Sequence, residues 1–384
     1  MIARTLGKKI IDLRAKFPVL SLTGPRQTGK TTLLRSIYKD IPYVTLEDID
    51  NRREAAQDPR GFLSNFSQGA VLDEVQHVPD LFSYIQGIVD EKDIPFVLSG
   101  SQNFLLSEKI TQSLAGRTAI LKLLPFSMQE LSLAGIRMDA YETLVFQGCY
   151  PRLYDKQINP TDFYPAYIHT YVEKDVRQIK NIEKLNNFSH FLQLCAGRTG
   201  QILNVHSLAA DAGISPNTAK AWLSVLEASY IVYFLQPHHK NFNKRLVKSP
   251  KLYFWDTGLA CSLLGLESSQ QLSTHFLKGG MFENFIINEF MKMRLNEGKN
   301  PNCFFWQSKD HKEIDLVLEK GGNLIPIEIK SGKTRNNSFF DTLLYWKKLT
   351  GAQSENFSVI YGGEEDVKTS FGNYISWRNI YDLK

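Results

Sequence analysis

Cysteine is scarce in this chain, and long apolar runs are missing. The 384 residues include 4 cysteines, and no two of them form a Cys-x-x-Cys pair: Cys149, Cys195, Cys261 and Cys303. This scatter argues against a disulfide framework or a zinc site and favours reduced thiols. The longest strongly apolar stretch, residues 228–235, is far shorter than the roughly 20 residues of a membrane span. We therefore expect a cytoplasmic protein with no membrane partner.

The composition excludes other classes of protein. With 43% hydrophobic and 22% charged residues, the chain is neither largely disordered nor fibrous. Residues 1–17 lack the apolar block of a secretory signal, and their basic and apolar side chains recur at near-helical spacing. This segment predicts an amphipathic helix packed on the first domain. The length predicts two or three domains.

Basic residues slightly outnumber acidic ones. The chain carries 45 Lys and Arg against 40 Asp and Glu, a net charge of +5, which alone does not imply a nucleic-acid partner. The excess is local, because residues 186–251 carry seven basic side chains against Asp211 and Glu227: Arg198, Lys220, Lys240, Lys244, Arg245, Lys248 and Lys251. That segment is the candidate contact for duplex DNA.

Short apolar segments alternate with amphipathic ones between residues 17 and 124. This rhythm predicts an α/β domain with a parallel sheet between helices. The predicted strands are 19–22, 43–46, 70–72, 96–98 and 119–123.

One complete phosphate-binding motif follows the first predicted strand. It reads Gly24-Pro25-Arg26-Gln27-Thr28-Gly29-Lys30-Thr31, and it leads into a predicted helix that continues with Thr32. Backbone N–H groups of such a loop cradle phosphates, while Lys30 contacts the β and γ phosphates and the Thr31 hydroxyl ligates Mg²⁺. These nine residues predict an ATP site with Mg²⁺ as its metal.

Two carboxylates end the third predicted strand. Asp73 is the predicted Mg²⁺ residue together with Thr31, and Glu74 is the predicted base that activates water. Without the phosphate-binding motif, a pair of solvated acids would be the simpler interpretation. The next strand is followed by Ser101, whose hydroxyl is a candidate to sense the γ-phosphate or position water; a polar turn is the alternative.

Residues 204–223 have the pattern of a helix-turn-helix. The turn lies at Gly213, Ser215 is the predicted N-cap of the second helix, and Pro216 is its first residue. The basic segment that follows, 240–251, is the predicted wing of a winged helix. Such modules bind DNA or protein, and the sequence leaves both open.

Paired carboxylates recur in the last third, on two β-like segments separated by the turn Gly321-Gly322-Asn323. Because side chains alternate along a strand, Glu328 and Lys330 share one face, and Asp315 on the neighbouring strand can join them. Glu283 offers a further carboxylate from a preceding helix. Such a group can hold Mg²⁺ against a scissile phosphate while the lysine orients water. The alternative is an edge hairpin with exposed charges.

Several motifs resemble the AAA+ branch of P-loop ATPases. More narrowly, they are similar to a widespread prokaryotic family that couples an AAA+ module to a winged helix and a restriction-endonuclease-like domain. The motifs are Leu72-Asp73-Glu74-Val75-Gln76-His77-Val78-Pro79, Val97-Leu98-Ser99-Gly100-Ser101, Leu114-Ala115-Gly116-Arg117 and Tyr171-Val172-Glu173-Lys174-Asp175-Val176.

The resemblance implies four parts: a P-loop (AAA+) domain over residues 1–125, a helical lid over 126–185, a winged helix over 186–265 and an α/β restriction-endonuclease-like domain over 266–384. It also implies an arginine that completes the ATPase site from the lid or from a neighbouring subunit of a homo-oligomer. Arg117 is the first candidate and Arg177 the second, and the alternative for each is a surface arginine without a role at the site.

The resulting hypothesis is an ATP-binding, Mg²⁺-dependent ATPase that acts on or near DNA. One alternative is a nucleotide-gated switch or protein-binding scaffold that does not hydrolyse ATP. Another is a DNA nuclease under ATP control, with its possible nuclease site at Glu283, Asp315, Glu328 and Lys330.

Overall fold

The computed structural model describes residues 2–92, 94–101, 113–172, 185–238, 248–308, 310–351 and 357–383. Within these residues, helices either end too soon or carry too many polar side chains to cross a bilayer.

The first unit contains a five-stranded parallel sheet between helices. Its strands are β1 (Val19–Thr23), β2 (Tyr43–Thr45), β3 (Ala70–Asp73), β4 (Phe96–Gly100) and β5 (Thr118–Lys122). Its helices are α1 (Leu6–Arg14), α2 (Lys30–Ile37), α3 (Ile49–Gln57), α4 (Pro59–Ser64) and α5 (Leu81–Lys92). The strand order is β2-β3-β4-β1-β5, and every pairing is parallel. The predicted α/β sheet is therefore confirmed.

Two hydrophobic clusters cover the two faces of this sheet. Leu20 packs with Leu6 of α1 and Leu34 of α2, whereas Leu72 packs with Phe82 of α5 on the other face. Strands covered on both faces are apolar throughout rather than alternating, which is why β1 and β4 appear in the sequence as short apolar runs. Because all strands run the same way, the segments after β1, β3 and β4 meet at one edge.

The next part of the chain is helical, and it is followed by a middle unit. The helices after the sheet are α6 (Met128–Leu133), α7 (Tyr141–Gln147), α8 (Pro151–Asp155) and α9 (Pro160–Tyr167), with a π-helical turn over Ile168–Val172. The middle unit contains α10 (Leu185–Ala196), α11 (Val205–Asp211), α12 (Pro216–Ala228), β6 (Val232–Leu235), β7 (Lys251–Phe254) and α13 (Thr257–Leu263).

The predicted helix-turn-helix pattern is present in the middle unit as α11, a turn and α12. Gly213 has φ 64°, and the Ser215 hydroxyl caps α12 by accepting a hydrogen bond from the Thr218 N–H at 3.1 Å. The strands β6 and β7 then form an antiparallel hairpin.

Lys251 corrects one prediction about the basic segment. It begins β7 and is buried against carboxylates, so it cannot serve as an exposed wing residue. Lys248 is exposed, whereas Lys240, Lys244 and Arg245 lie outside the described residues.

The last unit is a second, mixed sheet with its helices. Its elements are α14 (Ser269–Thr274), α15 (Lys278–Asn296), β8 (Cys303–Gln307), β9 (Glu313–Lys320), β10 (Asn323–Lys330), α16 (Asp341–Thr350), β11 (Ser358–Tyr361), β12 (Val367–Thr369) and β13 (Gly372–Ser376). The strand order is β12-β13-β11-β10-β9-β8. Gly321 and Gly322, with φ 58° and 83°, make the tight turn of the predicted hairpin between β9 and β10.

One continuous hydrophobic cluster joins the helices after the first sheet, the middle unit and part of the last unit, while a separate cluster around Trp306 and Trp346 packs α16 on the second sheet. The continuous cluster contains Leu131 of α6, Leu226 of α12, Phe285 of α15 and Ile327 of β10. The predicted boundaries near residues 185 and 265 both fall inside this shared core. The four-part division therefore stays a prediction.

Candidate functional site

The loop after β1 has the backbone that a phosphate cradle requires. Gly24 has φ 147°, and a Cβ on it would lie 2.1 Å from the Leu123 carbonyl oxygen. Gly29 has φ 88° and precedes α2, and a Cβ there would meet no atom within 4 Å. Glycine is therefore needed at 24 for packing, and the space beside Gly29 is open to a phosphate.

The ammonium group of Lys30 contacts the backbone of this loop. Its Nζ donates to the carbonyl oxygens of Gly24 and Pro25, each at 2.8 Å. The Thr28 hydroxyl donates to the same Pro25 oxygen at 2.9 Å. The loop thus carries a buried ammonium at its centre, where phosphate oxygens would replace carbonyl oxygens as its partners.

The predicted metal residues lie together. Thr31 Oγ1 is 3.2 Å from Asp73 Oδ2. The other oxygen of Asp73 accepts from the Ser99 hydroxyl and, at 3.1 Å, from the Glu74 N–H. A hydroxyl beside an oriented carboxylate suits Mg²⁺, which prefers oxygen ligands. This donor set therefore fits the metal of an ATP complex.

Sequence reasoning missed Tyr43 at this position. Its phenol donates to Asp73 Oδ2 and lies 3.2 Å from Thr31 Oγ1. Burial, together with the hydrogen bond to Asp73, raises the pKa of Tyr43. No sequence signal marks this tyrosine, because its role arises from the pairing of β2 with β3.

Glu74 is held by two neighbours in an unusual conformation. It has φ 53° in the left-handed region, which a non-glycine residue adopts at a cost and often at functional sites. Its Oε2 accepts from the Ser101 hydroxyl at 3.1 Å and from the Gln76 side-chain amide. The structure thus brings together Glu74 and Ser101, as expected from the strand ends.

A cavity of about 490 Å³ opens onto these groups. Its lining from the first unit is Arg26, Gln27, Gly29, Lys30, Thr31, Thr32, Glu47, Asp73 and Glu74. The other side is lined by α8 and the residue after it: Pro151, Arg152, Asp155 and Lys156. Arg152 is therefore an arginine beside the phosphate loop that sequence reasoning did not find, because nothing local marks it.

Arg117 lies at the opposite edge of the sheet. Its carbonyl oxygen accepts from Val19 at the start of β1, and the phosphate loop begins after the end of that strand, roughly 13 Å away at about 3.3 Å per residue. Its guanidinium binds both oxygens of Asp90, at 2.5 and 2.9 Å. Arg117 therefore does not act on the loop of its own chain, and it stays a candidate only for a neighbouring subunit. Arg177 lies outside the described residues.

The C-terminal carboxylates form a second candidate site. Lys330 Nζ donates to Asp315 Oδ2 at 3.0 Å and to Glu328 Oε2 at 2.5 Å. The Ile329 N–H also donates to Asp315 at 2.7 Å. Glu328 is buried, and its Oε1 has no hydrogen-bond partner among the described residues. Asp315, Glu328 and Lys330 meet as the strand alternation predicts.

Glu283 approaches this site from α15. One oxygen each of Glu283, Glu313 and Asp315 lie within 4.8 Å of one another; we call these three residues the acidic cluster. Glu313 was not predicted, although it lies two residues before Asp315 and so shares its strand face. Lys251 of β7 donates to Glu283 at 2.9 Å and also to Glu313.

Burial governs the charges of this second site. It raises the pKa of Glu283 to about 7 against the opposing effect of Lys251, and it also raises the pKa of Glu328 above the usual range. Burial also acts to raise the pKa of Asp315, but Lys330 and Lys251 outweigh it and leave that pKa lowered. Proton sharing of this kind is expected where buried acids outnumber cations. A divalent cation fits such a donor set and would relieve the repulsion between its carboxylates.

Three family models match successive parts of the chain. A model described as an AAA domain matches residues 16–132. Two models described as domains of unknown function match residues 138–270 and 278–380. The second match runs from α7 into α14 and so joins the predicted lid to the middle unit.

Relatives match over most of the chain. Two uncharacterized proteins, of Mycobacterium tuberculosis and Mycobacterium bovis, are each 30% identical over 353 residues, which are 90% of this chain and 77% of theirs. An uncharacterized protein of Haemophilus influenzae is 21% identical over 359 residues, 85% of this chain and 86% of its own. A solved structure of a Walker-type ATPase from Pyrococcus abyssi covers 68% of this chain and 96% of its own, at 13% identity and a TM-score of 0.43.

Proposed function

We propose that this chain, which belongs to the same family as its two mycobacterial relatives and contains a match to an AAA domain, is a Mg²⁺-dependent ATP hydrolase. The observation that carries the proposal is the meeting of Thr31, Asp73, Glu74 and Ser101 at the mouth of the loop. In this proposal the backbone of the loop binds the phosphates, and Thr31 and Asp73 hold the metal, which when bound would neutralise phosphate charge.

Glu74 is the proposed general base. Its carboxylate accepts hydrogen bonds from Ser101 and Gln76 through Oε2, which leaves Oε1 to receive a proton from the attacking water. Ser101 thereby orients the base. The left-handed backbone at Glu74 aims the carboxylate away from the direction that β3 would otherwise impose.

Arg152 is the proposed arginine of the site. Transition-state charge on the phosphate requires more cation than Lys30 and Mg²⁺ provide. Arg152 is exposed on α8 and lines the same cavity as Lys30. It therefore fits the predicted arginine from the lid, while Arg117 would have to act across an interface of a homo-oligomer.

ATP turnover in the purified protein tests the proposal. Wild type should release phosphate only with Mg²⁺, Lys30→Ala should lose ATP binding, and Glu74→Gln should bind ATP without hydrolysing it. Glu91→Gln, an exposed acid on α5, is the matched control and should behave as wild type. ATP binding without turnover in wild type would favour the nucleotide-gated switch instead.

Metal-dependent cleavage of DNA is the second candidate function. It is favoured by the contacts of Lys330 with both Asp315 and Glu328 on adjacent strands. In this proposal the carboxylates hold a divalent cation against the scissile phosphate, and Lys330 orients the attacking water. The helix-turn-helix of the middle unit would supply contacts to the duplex, with Asn217 and Lys220 exposed at the start of α12.

Cleavage assays with Mn²⁺ or Mg²⁺ on supercoiled and linear DNA test this second function. Asp315→Asn should abolish cleavage without changing ATP hydrolysis, because the two sites lie in separate sheets. Cleavage that persists in Asp315→Asn would show that another nuclease is responsible.

A further inference from the structure

Lys251 belongs to the middle unit, but its side chain lies in the candidate site of the C-terminal unit. It is the first residue of β7 in the middle unit, and only 2% of it is exposed. Its ammonium contacts Glu283 of α15 and Glu313 of β9, and it lies 5.5 Å from the centre of the Phe305 ring in β8. A lysine of the middle unit thus forms ion pairs inside the C-terminal unit.

The place of Lys251 is fixed by its own hairpin. Tyr253, two residues further along β7 and therefore on the same face, also donates to Glu283. The strand is bound on both sides, by β6 and by the segment around residues 200–203. Because β7 is held in this way, the backbone of Lys251 can be withdrawn from the acidic cluster when this part of the middle unit moves relative to α15.

The acidic cluster needs the cation that Lys251 supplies. Four carboxylates lie there or next to it, against two lysines: Glu283, Glu313, Asp315 and Glu328 against Lys251 and Lys330. Removing one partner of a buried ion pair leaves an uncompensated charge at high cost. If Lys251 withdrew, another cation would have to replace it, and carboxylate oxygens select hard divalent ions such as Mg²⁺ and Mn²⁺.

A second observation indicates that the site is built for a ligand other than the two lysines. Glu328 is buried and lies close enough to Asp315 for the two carboxyl groups to share a proton, yet no N–H or hydroxyl group of the described residues donates to its Oε1. A buried carboxylate oxygen left without a donor is costly, and a metal ion would satisfy it.

We propose that Lys251 is an intramolecular lock that holds the acidic cluster in place of a divalent cation. Metal binds when the hairpin of β6 and β7 withdraws the lysine, and the C-terminal site is closed while Lys251 is seated. The lock rests on the second proposed function, metal-dependent cleavage, and regulates that same site.

Mn²⁺ binding by the full chain without nucleotide tests the lock. Free Mn²⁺ is followed by electron paramagnetic resonance during titration of wild type, Lys251→Met and Lys251→Arg. Lys251→Met keeps the length of the side chain without its charge and should bind Mn²⁺ at least ~10-fold more tightly, a difference of about 1.4 kcal/mol. Lys251→Arg keeps the charge and should stay near wild type, as should the exposed control Lys248→Met.

Adding Asp315→Asn to Lys251→Met should remove the increase in Mn²⁺ affinity. This result would show that the additional binding takes place at the acidic cluster. Equal Mn²⁺ affinity of wild type and Lys251→Met would contradict the lock but would still support a metal site. No Mn²⁺ binding by either protein would overturn both. ATP hydrolysis, measured in the same samples, is independent of either result.

A measurement on wild type covers the case in which Lys251→Met does not fold. Acetylation of lysines, mapped by mass spectrometry, should spare Lys251 without metal and modify it at saturating Mn²⁺. Protection that persists with Mn²⁺ bound at Asp315 would contradict the exchange of one cation for the other.

Discussion

Gly24 is a residue at which the phosphate loop tolerates no side chain. Its φ of 147° and the 2.1 Å approach of a Cβ to the Leu123 carbonyl both exclude other residues. Gly24→Ala should lower the free energy of unfolding by roughly 1–3 kcal/mol, the usual cost of such strain, and weaken ATP binding. Denaturant titration and nucleotide binding measure the two effects.

Gly87 provides the matched control for that change. It lies exposed inside α5, and a Cβ on it would meet no atom within 4 Å. Gly87→Ala should leave ATP binding unchanged and stabilise the protein by about 0.5–1 kcal/mol, because alanine is the better helix former. Equal loss of ATP binding in both variants would contradict a specific role for Gly24.

The proposed roles of Arg152 and Arg117 lead to different expected effects on kcat. Arg152→Ala should lower kcat by about 10²-fold or more with a smaller effect on ATP affinity, because the charge it meets develops in the transition state. Arg137→Ala is the control, since Arg137 is exposed and contacts Asp139. If Arg117→Ala lowered kcat instead, the arginine would come from a neighbouring subunit, and turnover would depend on protein concentration.

At the scale of elements, the N-terminal segment connects the phosphate loop to the helices that follow. The Arg4 guanidinium is buried and donates to the carbonyl oxygens of Thr28 and Leu124, at 2.7 and 2.6 Å, and to Glu130 of α6 at 3.1 Å. The Glu130 carboxylate also accepts from the N–H groups of Thr5 and Ser127. Arg4 thus joins the segment before α1 to the loop by a hydrogen bond and to α6 by an ion pair.

Arg4→Met should therefore destabilise the protein by about 3–5 kcal/mol, because Glu130 would remain buried without its cation. The free energy of unfolding from denaturant titration is the measurement. Lys16→Met removes an exposed ion pair with Asp12 from the same segment and should cost less than about 1 kcal/mol. Similar losses in the two variants would contradict the role of the buried pair. ATP affinity should fall only in Arg4→Met.

At the scale of the whole molecule, the middle unit lies between two candidate sites. Salt dependence of duplex binding is expressed as the slope of log K against log salt concentration. If Lys244, Arg245 and Lys248 each contact a phosphate, neutralising all three should reduce the magnitude of this slope by up to about 3. Neutralising three exposed lysines elsewhere should not change the slope: Lys16, Lys299 and Lys368. Binding measured at several salt concentrations is the test, and an unchanged slope in the first variant would favour a protein partner.

The sequence by itself determined the first sheet and the position of the phosphate loop in it. Strands buried on both faces are continuous apolar runs, so their positions can be read locally, and a phosphate loop uses consecutive residues. Asp73, Glu74 and Ser101 were predicted to lie together for a related reason: Asp73 ends β3, Glu74 follows it, Ser101 follows β4, and parallel strands end at one edge. The hairpin that brings Asp315 next to Glu328 could also be predicted, because its two strands are consecutive in the chain.

Only the tertiary structure decided which distant side chains lie beside these candidate sites. Arg152 reaches the phosphate cavity because α8 packs over it, whereas Arg117 lies at the far edge of the sheet, which its motif does not show. Lys251 looked like one more basic residue of a wing, yet packing of the middle unit against α15 buries it among carboxylates. The physical reason is that burial and ion pairing depend on contacts between segments far apart in the chain, which periodicity and spacing do not encode.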